Sequence, residues 1–130
     1  MDQQIKSPAS LKEIAMSFLQ LSASGNVREA YSRYIGHNFR HHNPFFRGDA
    51  DSLMLAMEQS ATQSPNKTIV IKRAIQEKDT VVVHSHVKQH PNDVGGAVVH
   101  IFRFQNNKIV EMWDIGQPIP EDSPNENGVF

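Results

Sequence analysis

The chain has 130 residues, 38% hydrophobic and 21% charged, with a formal net charge of -1. A chain of this length forms one domain that buries about two thirds of its unfolded surface, and its charge gives no basis for binding nucleic acid or an acidic membrane. It has no cysteine, which excludes disulfides and thiolate chemistry. Met1 to Gln4 lack the charged and apolar regions of a signal peptide, and no apolar run approaches the roughly 18 residues of a membrane span. A cytoplasmic location is therefore expected.

The front half reads as helical. Ser10 and Glu13 have the spacing of a capping box. Leu11, Ile14, Ala15, Phe18 and Leu19 then fall on one helix face. Gly25 ends this helix, and Asn26 is placed to cap a short second helix whose apolar side is Val27, Ala30, Tyr31 and Tyr34. Gly36 to Pro44 is non-helical, since Pro44 disfavours helix at Asn43. Asp49 or Asp51 caps a third helix through Leu53, Met54, Met57 and Ala61, stopped by Pro65 and Asn66.

The back half reads as a meander of four strands. They run from Thr68 to Gln76, Thr80 to Gln89, Ala97 to Gln105 and Lys108 to Gln117. Asn106-Asn107 makes a two-residue hairpin turn, because Asn tolerates positive φ. Helices followed by antiparallel strands predict an α+β domain with the helices on one sheet face. Residues 118–130 hold three prolines and read as an extended tail clamped by Val129 and Phe130.

Three of the strands carry ionisable residues among apolar ones. Alternation puts Val82, His84 and His86 on one face, Val98, His100, Phe102 and Phe104 on another, and Val110, Met112 and Asp114 on a third. If these faces coincide, imidazoles and a carboxylate share one apolar layer. Such groups are costly to bury unpaired, so the layer is either a hydrogen-bonded core or a site. His84-Ser85-His86 also has the spacing of two metal ligands, but a metal needs a converging third ligand, and a metal-free polar pocket is the expectation. Ser85 faces away from both histidines, so no Ser-His nucleophile exists within that strand. Gly95-Gly96 lacks the helix that a phosphate cradle requires, so no nucleotide cofactor is expected.

Several strings resemble the SnoaL-like polyketide cyclase family of the NTF2-like superfamily. They are Tyr34-Ile35-Gly36-His37, His42-Asn43-Pro44, Val81-Val82-Val83-His84, and His100 to Phe104 running through Lys108 to Asp114. The tail from Gln117-Pro118-Ile119-Pro120 to Asn127-Gly128 is similar to a subgroup labelled SnoaL-like aldol condensation-catalysing. The resemblance covers nearly the whole chain. It implies an NTF2-like cone, with N-terminal helices packed on a curved, mainly antiparallel sheet around a central pocket.

The resemblance also implies roles. Asp114 corresponds to the acid/base carboxylate of the cyclases, and a carboxylate in an apolar pocket can shuttle a proton near neutral pH. His42 and His84 correspond to pocket-lining positions and complete the expected catalytic set, with His84 polarising a carbonyl or orienting Asp114. Asn43, His100, Phe102 and Met112 are the expected substrate-binding residues. Many family members carry a histidine where this chain has Met112, and often an acid where it has His100, so the acid/base pattern is shifted.

The expected activity is cofactor-free cyclase, isomerase or dehydratase chemistry on a small carbonyl compound. The alternative is a non-catalytic ligand-binding or interaction module on the same fold. Phe45-Phe46 is expected to cover the pocket mouth or meet a partner chain. Trp113, Glu111 and Ile115 alternate away from Asp114, and this outer sheet face is the expected homodimer surface, with Arg103 pairing Glu111.

Overall fold

A computed structural model describes residues 9–130 of the chain. The stretch 1–4, read above as lacking a signal peptide, lies outside the described residues. Three helices and five strands follow in the order α1 (Leu11–Ala23), α2 (Val27–Tyr34), β1 (Ile35–His41), α3 (Ala50–Gln63), β2 (Thr68–Glu77), β3 (Thr80–Lys88), β4 (Gly96–Gln105) and β5 (Lys108–Pro118).

The local signals explain most of these boundaries. Ser10 Oγ accepts from the Glu13 amide, and the Glu13 carboxylate accepts from the Ser10 amide, which closes the capping box. This satisfies two donors that every helix start leaves orphaned. Asp49, not Asp51, caps α3 through the Ser52 amide. Asn26 precedes α2 but makes no side-chain cap; its amide turns back to Ser24 Oγ. Asn106 and Asn107 both have positive φ, at 51° and 62°, as the tight β4–β5 turn demands.

The strands form one sheet in the order β1-β5-β4-β3-β2. β1 runs parallel to β5 and the other pairs are antiparallel. The stretch read as merely non-helical thus supplies an edge strand, with His41 opposite Met112. The result is an α+β, NTF2-like fold in which helices cover one face of a curved, unclosed sheet.

Register decides which side chains meet the helices. Val83 lies opposite His100, and His100 opposite Asp114, so these three share the inner face. Phe18 of α1 packs edge-on against Phe102, 5.9 Å between ring centroids, and against Tyr31 of α2 at 5.4 Å. Val81, Val83, Phe102, Ile109 and Met112 complete this apolar layer. Burying aromatic rings of this size contributes the bulk of such a core.

Candidate functional site

The inner layer does not fill the space beneath the helices. A cavity of about 260 Å³ lies between α1, α3 and the sheet, lined by apolar residues such as Phe18, Leu53, Met57 and Met112. Asn43, His100 and Asp114 also line it.

Asp114 is held from the loop after β1. Asn43 Nδ2 donates to Asp114 Oδ2 at 3.0 Å. The orientation of that amide is fixed from its other end, where Asn43 Oδ1 accepts from the Phe45 amide at 2.9 Å. The loop is itself pinned by His41. Its Nε2 contacts the Arg47 carbonyl at 2.6 Å, and its Nδ1 accepts from the Asn43 amide. Only the neutral Nε2–H tautomer serves both contacts.

His100 faces the same cavity from the neighbouring strand, and its ring stacks on Phe102. Its Nδ1 is shut off from solvent and has no partner among the described residues. Burial pushes its pKa down, which the nearby Asp114 charge only partly opposes. The imidazole is therefore neutral at pH 7, because desolvation penalises the charged ring. Burial also raises the Tyr31 hydroxyl, with Asp114 adding to the effect. That hydroxyl is directed to Met57 Sδ at 3.1 Å.

Of the seven expected site residues, the structure brings Asp114, His100, Asn43 and Met112 to the cavity. Phe102 is fully buried and belongs to the core behind it, not to its lining. His84 is corrected more sharply. It lies opposite Val99 while its neighbour Val83 lies opposite His100, so it projects from the outer face. There it contacts the Arg73 guanidinium. Phe130 of the tail packs against both His84 and His86, with centroids 5.3 and 5.0 Å away. Phe130 thus clamps the tail, and the histidine pair is engaged by an arginine and an aromatic ring.

His42 also faces outward. It stacks on Trp113 at 4.8 Å and bonds Glu111 Oε2 through Nε2 at 2.6 Å. Strand parity explains the exchange with its neighbour: His41 sits opposite the inward Met112, so His42 must turn the other way. Glu111 collects Arg40 and Arg103 as well, both at 3.0 Å. It is covered by these long partners rather than by the body of the protein, and its carboxyl is held at about 2, by His42 first and then the arginines.

Sequence reasoning missed His41 as the residue that pins Asn43, and it missed Ser22, Ser60 and Lys67, which also line the cavity. Phe46 lines it too, while Phe45 is exposed.

These features define an NTF2-like protein with an apolar internal cavity and one hydrogen-bonded carboxylate. A SnoaL-like domain model matches residues 16–112, and the chain belongs to the SnoaL-like domain family. No curated protein sequence matches it. Among solved structures it is similar to an NTF2-like protein of unknown function from Cytophaga hutchinsonii, with TM-score 0.70, 16% identity, and 88% and 96% of the two chains covered. It is similar to a proposed polyketide cyclase from Acidithiobacillus ferrooxidans, with TM-score 0.66, 17% identity, and 86% and 92% covered. It also resembles a proposed isomerase of the SnoaL-like family from Agrobacterium tumefaciens, with TM-score 0.68, 8% identity, and 84% and 99% covered. At these identities the likeness establishes the fold, and a shared fold leaves activity open.

Proposed function

We propose that the protein is a small-molecule enzyme of the SnoaL-like cyclase, isomerase or dehydratase type, working by acid/base chemistry on a carbonyl compound. The observation that carries this reading is the convergence of Asp114, Asn43 and His100 on one apolar cavity. Asp114 takes a proton from the carbon beside the carbonyl and returns it at a second position. Asn43 holds the carboxylate in line, and the neutral His100 ring offers a hydrogen bond to the oxygen where charge develops. The set differs from the one expected from sequence: His100 and Asn43 take the place of His84 and His42. Positioning and proton transfer together supply the rate, without a cofactor. Aldol-type ring closure, the chemistry of the subgroup that the tail resembles, is one reaction within this class.

The outer sheet face supports a second element of the proposal, a homodimer. Val70 and Ile75 of β2 and Ile115 of β5 are exposed there. A symmetric pair of such faces buries them against each other. A cytoplasmic location for this cysteine-free chain belongs to the same reading.

The test of the enzymatic proposal is Asp114→Asn. The variant keeps the shape of the carboxylate and loses its basicity. The reading expects turnover of an accepted carbonyl substrate to fall by about 10²-fold or more while affinity changes little. Undiminished turnover in the variant rejects it, and ligand binding without any turnover in the wild type favours the binding module.

A further inference from the structure

The cavity has a second polar end. Asp114 stands on β5, whereas Lys67 immediately precedes β2, and β4 and β3 lie between those strands. At about 4.8 Å per strand spacing, the two sites are separated by up to about 14 Å along the sheet. Lys67 Nζ donates to Ser60 Oγ at 2.6 Å. No carboxylate lies within ion-pair distance of Lys67 among the described residues. Burial pulls its ammonium below the ordinary lysine value, with no neighbouring charge to oppose it.

A half-buried ammonium without a counter-charge is costly, and such groups are normally paired. Surface lysines avoid that cost by reaching into water, but this side chain is anchored on α3 and lines the cavity instead. Two hydroxyls accompany it. Ser60 uses its oxygen to accept from Lys67, which leaves its proton available for a further acceptor. Ser22 Oγ of α1 is buried, lines the same cavity and has no partner among the described residues. One cation and two hydroxyl donors form a set suited to a single anionic oxygen group.

We propose that Lys67, with Ser60 and Ser22, binds a carboxylate carried by the substrate, and so seats an amphipathic monocarboxylate with its carbonyl-bearing part toward Asp114. The inference rests on the reading of Asp114 as the proton-transfer group only for the direction of seating; the carboxylate site itself is independent of it. Charge arrangement favours this direction. A substrate carboxylate is repelled by Asp114 and attracted by Lys67, so the two ends of the cavity select one orientation. A single lysine matches a single negative charge.

The test compares 4-phenylbutanoate with its uncharged amide, 4-phenylbutanamide, as probes of the full chain by isothermal titration and by amide chemical shifts. The wild type is expected to bind the carboxylate at least about 10-fold tighter, the worth of one charge-assisted hydrogen bond. Lys67→Met removes that preference, so that the affinities for carboxylate and amide converge. Lys67→Gln gives the same result if the methionine variant folds poorly, and Lys67→Arg retains a preference. The preference is expected to persist in Asp114→Asn, so loss of turnover there leaves this inference standing. Equal affinities in the wild type, a preference that survives both neutral variants, or no binding of either probe overturns it.

Discussion

Asn43 and Asp114 are 71 residues apart in the chain and joined by one hydrogen bond of 3.0 Å. That bond ties a loop whose shape is set by His41 to the strand that carries the only carboxylate among the described residues lining the cavity. The reactive oxygen is therefore only as well placed as the loop.

Asn43→Ala tests this dependence. The variant loses one partly buried hydrogen bond, and its stability is expected to fall by about 0.5–1.5 kcal/mol. Turnover is expected to fall further, by about 10-fold or more, because a freely rotating carboxylate loses its alignment. His41→Ala is expected to reduce turnover in the same way and to cost more stability, since its ring is buried. Steady-state kinetics beside urea unfolding of both variants checks the pair; full activity in either one contradicts the positioning role.

Glu111 predicts an acid-linked loss of stability. Its folded-state pKa, about 2, lies below the ordinary 4.5, so its contribution is present above 4.5 and is lost as pH falls toward 2. Glu111→Gln is expected to be less stable than the wild type at pH 7 by on the order of 1 kcal/mol, because Arg40 and His42 are substantially exposed and screened. The gap should narrow between pH 4.5 and 2. Urea unfolding at pH 7 and pH 3 measures it, and a gap independent of pH contradicts the assignment.

Phe102 belongs to the core, and its truncation reports that. Phe102→Ala removes a ring that is 0% exposed and touches Phe18 and His100. The expected cost is about 3–5 kcal/mol. Phe45, at 83% exposure, should cost no more than about 0.5 kcal/mol when cut to Ala. Comparable costs for the two contradict this placement.

The outer face makes a prediction about assembly. Ile115→Glu is expected to shift the protein from dimer to monomer in sedimentation at micromolar concentration, because it buries a charge in the proposed contact. A wild type that is monomeric under the same conditions contradicts the homodimer.

The fold was largely legible because its signals are local. Ser10 with Glu13, Asp49, and the Asn106-Asn107 turn each mark a boundary without reference to the rest of the chain. Strand alternation also placed Trp113 away from Asp114 and paired Arg103 with Glu111. The site was harder to read because it depends on how strands align with one another. Alternation fixes which residues of β3 share a face, but only register decides whether that face is the one bearing His100; with Val83 opposite His100, His84 must point outward. The choice of His42 over His41 came from the resemblance, whereas the pairing of His41 with Met112 sets the opposite parity. Lys67 sits in a turn ahead of β2, where no periodicity indicates that its side chain reaches inward.

The proton-transfer account is tested most directly by hydrogen exchange at carbon. Carbonyl compounds carrying a distal carboxylate are incubated with the protein in deuterated buffer, and the loss of hydrogen beside the carbonyl is followed by NMR. The account predicts exchange well above the buffer rate for the wild type and near the buffer rate for Asp114→Asn, with equal binding of the compound. Equal exchange by the two proteins, or none by a wild type that binds the compound, contradicts it.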